Sequence, residues 1–235
     1  MAGPFDKAQG GGVCGGGMER RVQPELLDGL PPEHPDAQHN RRDLRFFNAV
    51  MGNYRWLEAT LARRARPGDR VLELGAGEGD LGRRLRRRWG GREIHYTGLD
   101  LWPRPKDWPA DWNWRQEDIT GFANYADYNV IIGNLILHQF EDAALADLGR
   151  KWRERARLLV FCEPARHALH LAQLPLARLA GINHVSRHDA RVSIEGGFRG
   201  GELAQRLGVE TPEWQVEVAE TFMGAYRLVA ERDGG

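Results

Sequence analysis

Cysteine is nearly missing from this 235-residue chain, which has only Cys14 and Cys162. One lies in a glycine-rich stretch and the other in an apolar run, so the pair makes neither a metal-ligand spacing nor a disulfide framework. Few thiols without a framework fit a reducing compartment. Long hydrophobic runs are missing too. No stretch reaches the ~20 apolar residues of a membrane-spanning helix, and the N-terminus has no apolar segment of the secretory kind, so a soluble, cytoplasmic protein is expected. An excess of one charge sign is also absent: Lys+Arg and Asp+Glu are 33 each. No global field therefore draws the chain toward nucleic acid or an anionic membrane. The basic residues are almost all arginine, and Arg83, Arg84, Arg86, Arg87 and Arg88 crowd one segment. With their stems lying on the core they read as a solvated helix face rather than a nucleic-acid patch.

The length suffices for one domain with a single core. Residues 1–40 carry Gly10-Gly11-Gly12, Gly15-Gly16-Gly17, Pro24, Pro31, Pro32 and Pro35. Such a composition buries too little apolar surface to offset ordering entropy, and a mobile tail is expected there, with the domain proper over 41–235. From Asp43 the pattern changes. Leu44, Phe46, Phe47, Val50, Met51, Tyr54, Leu57 and Leu61 recur at three- and four-residue steps, as on one face of a helix. Arg66-Pro67-Gly68-Asp69 then breaks the helix and opens a strand.

That strand carries the densest signal in the chain: Val71-Leu72-Glu73-Leu74-Gly75-Ala76-Gly77-Glu78-Gly79-Asp80. An apolar run ends in three closely spaced glycines, as where backbone must take positive φ or approach a ligand closely. A dinucleotide fingerprint would read G-x-G-x-x-G; here the spacing is G-x-G-x-G, with Asp80 in the third glycine's place. A helix follows, marked by Leu81, Leu85 and Trp89. A second strand, Glu93 to Asp100, ends in an acid some 20 residues beyond the turn, where such sheets put a carboxylate for ribose hydroxyls. Together these residues resemble motif I and its downstream acid in the class I S-adenosylmethionine (SAM) dependent methyltransferases.

The resemblance implies a three-layer α/β sandwich: a doubly wound, seven-stranded, mostly parallel sheet closed by a C-terminal antiparallel hairpin. It implies SAM as cofactor, held by Glu73, Gly75, Ala76, Gly77, Gly79, the ribose-binding Asp100 and Leu101. Trp102 is expected beside the adenine, with the tryptophan-rich loop through Trp108 and Trp112 near the adenosine. Asn113 to Ile119 resembles the third motif of the family, which gives Asp118 to the adenine amine and Ile119 to the ring. Tyr128 to His138 is nearly continuous and apolar, as a central parallel strand should be. It resembles the N-L-x-L-H-H-F segment of small-molecule methyltransferases, with Gln139 replacing the second histidine, and places Asn134 at the cofactor. It lacks the Asn/Asp-Pro-Pro-Tyr signature of base methyltransferases, so nucleic acid is an improbable partner.

Arg157 to Pro164 reads as another buried strand, and residues 164–198 exceed an ordinary connection, as expected of an insertion covering the substrate. Its histidines, including His167, His170, His184 and His188, carry no recognisable ligand signature, and no metal is expected. Trp214 to Val218 and Ala225 to Ala230 form the closing hairpin. Two general bases compete: His138, at the ligand end of the fourth strand, and His188 beside Asp189. The expected activity is methyl transfer to a small aromatic or lipophilic acceptor, at oxygen before carbon. A Rossmann-type NAD(P) oxidoreductase and a non-catalytic partner subunit remain as alternatives. The oligomeric state is not legible.

Overall fold

The computed structural model describes residues 18–30, 34–175, 182 and 184–232. Cys14 and the glycine triplets lie outside the described residues, as do Leu176 and Leu179 of the insertion. Seven strands form one sheet: β1 Arg70–Leu74, β2 His95–Asp100, β3 Asn113–Gln116, β4 Val130–Asn134, β5 Leu158–Pro164, β6 Trp214–Glu220 and β7 Ala225–Arg232. Their order is β3-β2-β1-β4-β5-β7-β6. The first five run parallel, β7 is antiparallel to β5, and β6 is antiparallel to β7.

The helices are α1 Pro35–Met51, α2 Asn53–Arg64, α3 Asp80–Arg88, α4 Asp142–Arg153, α5 Ala168–Gln173, α6 His184–Gly196 and α7 Glu202–Leu207. Side chains of successive strand residues point to opposite faces, so each strand feeds two cores. Val71, Tyr96, Ile132 and Val160 pack with Leu57 and Leu61 of α2 and Leu81 and Leu85 of α3. Leu72, Leu99, Ile131 and Phe161 pack with Leu145 and Leu148 of α4 and Leu203 and Leu207 of α7. Because α3 follows β1 on one face and α4 follows β4 on the other, the strand order reverses between β1 and β4. The ligand crevice of an open α/β sheet lies at that switch point, beyond the strands' C-terminal ends.

Two expectations change. The helix over residues 44–61 is two helices, because Gly52 takes φ 67° and turns the chain between α1 and α2. And residues 18–30 and 34–40 are not a detached tail: α1 begins at Pro35, and residues 18–30 run across the domain as a strap. The Arg20 guanidinium donates to the Gly196 carbonyl (2.8 Å), the Phe140 carbonyl (2.8 Å) and Asp142 (2.8 Å), and stacks over Phe198 at 4.8 Å. Arg166 holds the Met18 carbonyl (2.8 Å), and Asp189 accepts from Leu26 N (2.7 Å) and Leu27 N (3.2 Å). A composition argument counts apolar burial; this strap is held by polar anchors and charge-assisted hydrogen bonds. Among the described residues no helix is long and apolar enough to cross a membrane.

Candidate active site

At the end of β1 the chain turns through Gly75, Gly77 and Gly79, all left-handed at φ 62°, 54° and 77°. Gly77 is the telling one, for a Cβ there would meet nothing within 4 Å: the backbone borders open space that a side chain would occupy. The turn is pinned from the next strand. Asp100 Oδ2 accepts from Gly77 N (2.7 Å) and Oδ1 from Trp102 N (2.9 Å). Burial raises the Asp100 pKa, against the lowering pull of the Trp102, Gly77 and Leu101 N–H groups. A carboxylate has about four acceptor positions, so acceptor capacity remains for a ligand hydroxyl.

Beneath the turn, Glu73 is 3% exposed and accepts the Tyr96 hydroxyl (2.7 Å). Burial, only partly opposed by that bond, raises its pKa to about 8, so its carboxyl is largely protonated at neutral pH. Trp108 closes the same underside: a Cβ at Gly79, Gly82 or Gly98 would come within 2.8, 2.5 or 3.1 Å of its ring. The loop tryptophans Trp108 and Trp112 are therefore core, packed with Trp89 and Tyr96. Leu101 and Trp102 face outward, 65% and 38% exposed, and Arg41 of α1 covers the Trp102 ring at 4.7 Å. Arg45, also on α1, pairs with Glu78 of the glycine turn at 2.7 Å, so α1 lies over the crevice.

The third-motif residues divide. Asp118 Oδ1 accepts from Thr120 N (2.6 Å) and Gly121 N (3.2 Å), a turn-capping arrangement on an exposed loop. Ile119 is only 7% exposed and packs in the core with Leu72, Leu74 and Leu99.

On the far side of the crevice, Leu74 pairs with Gly133, so Gly75 and Asn134 leave the sheet side by side. Asn134 donates to Asn48 Oδ1 (2.9 Å), while its own Oδ1 is buried without a hydrogen-bond partner among the described residues. The next residue, Leu135, takes φ 56°, which costs a residue with a Cβ roughly 1 kcal/mol. Its N–H donates to the Cys162 carbonyl (2.8 Å). Sequence reading passed over Asn48: a mid-helix asparagine gives no periodic signal.

His138 is where the structure corrects the sequence reading. The ring is 4% exposed, with Nδ1 2.8 Å from Glu163 Oε2 and Nε2 3.3 Å from Glu25 Oε1 of the strap. Burial alone would lower the His138 pKa, but the bonds to Glu163 and Glu25 and their charges raise it to about 9. Burial pushes Glu25 up, yet the His138 bond and charge outweigh it and leave that carboxyl below its usual range. His138 is thus an imidazolium with both N–H groups committed. With a carboxylate on each ring nitrogen, the geometry favours a structural clamp over the expected general base. Glu163, fully buried, also accepts from Leu137 N (2.9 Å) and Ile136 N (3.2 Å). The group is a clamp that ties β5, the turn after β4 and the strap together.

The competing base is also engaged. His188 lies 3.3 Å from Asp189, but that carboxylate is spent on Leu26 N, Leu27 N and Asn40 Nδ2, and the imidazole side chain is 46% exposed. No group of three metal-ligating side chains occurs among the described residues.

No family model matches the sequence, and no curated protein matches it. Solved structures do. The plantazolicin methyltransferase BpumL in complex with SAH superposes with a TM-score of 0.64 at 11% identity, over 85% of this chain and 91% of that one. Human N-acetylserotonin methyltransferase in complex with SAM gives 0.57 at 13% identity, over 88% and 62%. The 1,6-didemethyltoxoflavin-N1-methyltransferase of Burkholderia thailandensis gives 0.56 at 16%, over 83% of each. The chain has the class I methyltransferase fold. Within that fold the glycine turn, Asp100 and Asn134 border the switch-point crevice, and the strap and α1 lie over its rim.

Proposed function

We propose that this chain is a SAM-dependent methyltransferase acting on a small aromatic or lipophilic acceptor, at oxygen before carbon. The observation that carries the proposal is the Gly77 turn: left-handed backbone bordering open space, tied by its N–H to the acid at the end of the neighbouring strand. Those residues fit SAM. Asp100 retains acceptor capacity for a ribose hydroxyl, Gly77 leaves room for the methionyl portion, and Asn134 offers an oxygen without a partner among the described residues. When bound, SAM supplies a methyl carbon on a sulfonium, which a lone pair displaces in line. The protein's work is then alignment and exclusion of water. Such a displacement would form the bond from the acceptor atom to the methyl carbon as the carbon–sulfur bond breaks, releasing SAH, and any proton the acceptor still carried would pass to solvent.

Because both His138 ring nitrogens face carboxylates, the acceptor that fits this site is one that ionises by itself, such as an acidic phenol or enol. An open surface pocket of about 360 Å³ beside α5 and α6, lined by Leu171, Leu174, Pro175, Arg187 and Arg191, has the chemistry such an acceptor would need. Apolar walls take a ring, and two guanidinium groups favour an anion. Leu169, Phe222 and Met223, 49%, 73% and 48% exposed, add apolar surface on α5 and on the turn between β6 and β7. Calorimetric titration with SAM and with NAD tests the cofactor. Tritiated methyl transfer to a panel of phenols, enols and quinols, alongside RNA and protein lysate, tests the acceptor. Heat on NAD alone, or label in RNA or protein alone, refutes the proposal.

A further inference from the structure

Three asparagines link the α1–α2 joint to the crevice, and their amide directions are determined by one fixed end. The Leu44 carbonyl can only accept, and Asn48 Nδ2 donates to it at 3.0 Å. Asn48 Oδ1 must then face the other way, where it accepts from Asn53 Nδ2 (3.1 Å) and from Asn134 Nδ2 (2.9 Å). Reversing Asn134 would set oxygen against oxygen. Its Nδ2 therefore faces α1, and its Oδ1 is left without a partner among the described residues at the end of β4. Asn53 Oδ1, also without a partner among the described residues, lies in the helix joint, where Asn53 is fully buried.

A buried amide oxygen without a donor costs free energy that a bound N–H recovers. Asn134 lies beside Gly75, at the switch point between β1 and β4. The SAM group that brings a charged N–H donor is its amino-acid ammonium, and hydrogen bonds involving a charged partner are the stronger kind. We infer that Asn134 Oδ1 accepts from the cofactor's α-ammonium and that Asn48 is the positioning residue that keeps this oxygen turned to the crevice. The inference rests on the function proposed above and deepens it. Asn48 touches no ligand; it acts through Asn134. Helix α1, which carries Asn48, thereby becomes part of cofactor recognition.

The test is calorimetric binding of SAH and of its desamino analogue, which lacks only the ammonium, to wild type, Asn48→Ala, Asn134→Ala and the double variant. Each single variant should bind SAH about tenfold or more weakly, the range of one hydrogen bond to a charged group. Both should bind the desamino analogue as wild type does. Asn48→Ala should add little in the Asn134→Ala background, since both changes remove the same contact. Additive losses, or equal losses for both ligands, overturn the relay. If Asn48→Ala unfolds, Asn48→Asp, which keeps the acceptor oxygen, serves instead and should retain more SAH affinity than Asn134→Ala. No binding of SAH or SAM to wild type would sink the functional proposal itself, an outcome distinct from wild-type binding with unaffected variants.

Discussion

Replacing His138 by glutamine separates a clamp from a catalyst. In the folded protein the imidazole titrates at about 9 against an ordinary 6.5, because Glu163 and Glu25 flank it. A folded pKa above the unfolded one contributes stability that is fully present below 6.5 and is lost as pH rises through about 9. At roughly 1.4 kcal/mol per pKa unit the contribution at neutral pH is at most about 3 kcal/mol. For a domain of this size that corresponds to a melting-temperature difference of roughly 6–12 °C. Glutamine removes the cation and leaves two buried carboxylates facing each other, so the loss at pH 7 should lie at or above that range. The assay is thermal unfolding of wild type and His138→Gln at half-unit steps from pH 6.5 to 10. The gap between them should be widest at the acid end and should close as pH passes 9. Methyl transfer is measured alongside, at a temperature where both are folded. A clamp predicts a similar pH–rate profile for the two. A constant melting gap across the whole range would refute the ion-pair reasoning. A variant with normal melting but a hundredfold loss of turnover would restore His138 as a base.

Gly77→Val places a branched side chain at φ 54° in the open space beside Asp100, and should abolish SAM binding while changing the far-ultraviolet spectrum little; retained affinity would remove the turn from the cofactor site. Glu73 titrates at about 8 against 4.5 because it is buried, so its contribution is lost as pH rises from 4.5 through 8. Glu73→Gln, neutral and nearly the same shape, should flatten the stability profile over that interval, and an unchanged slope by chemical denaturation would count against the assignment. Arg20→Ala removes the strap's main anchor, whose side chain is 6% exposed, and should cost about 2–4 kcal/mol with faster proteolysis of residues 18–30. Melting and cleavage indistinguishable from wild type would show that the strap contributes nothing.

The sequence by itself determined the elements whose cause is local. The apolar run ending in three glycines, the acid one strand later and the continuous apolar stretch before Asn134 each depend on periodicity, propensity and turn chemistry within some 30 residues. Those signals located the crevice and the sheet that builds it, down to the antiparallel hairpin formed by β6 and β7. What only the tertiary structure decided is what each polar group is free to do there. His138 looked like a base until Glu25, 113 positions away, and Glu163, 25 away, were seen on its two nitrogens. Asn48 looked like an ordinary helix residue until Asn134, 86 positions on, was found donating to it. The strap looked like a tail because its anchors are hydrogen bonds to Gly196 and Phe140 and across to Asp189. A proton's place and an amide's direction are set by whichever partners the fold brings within about 3 Å, and pairings over such separations leave no period in the chain.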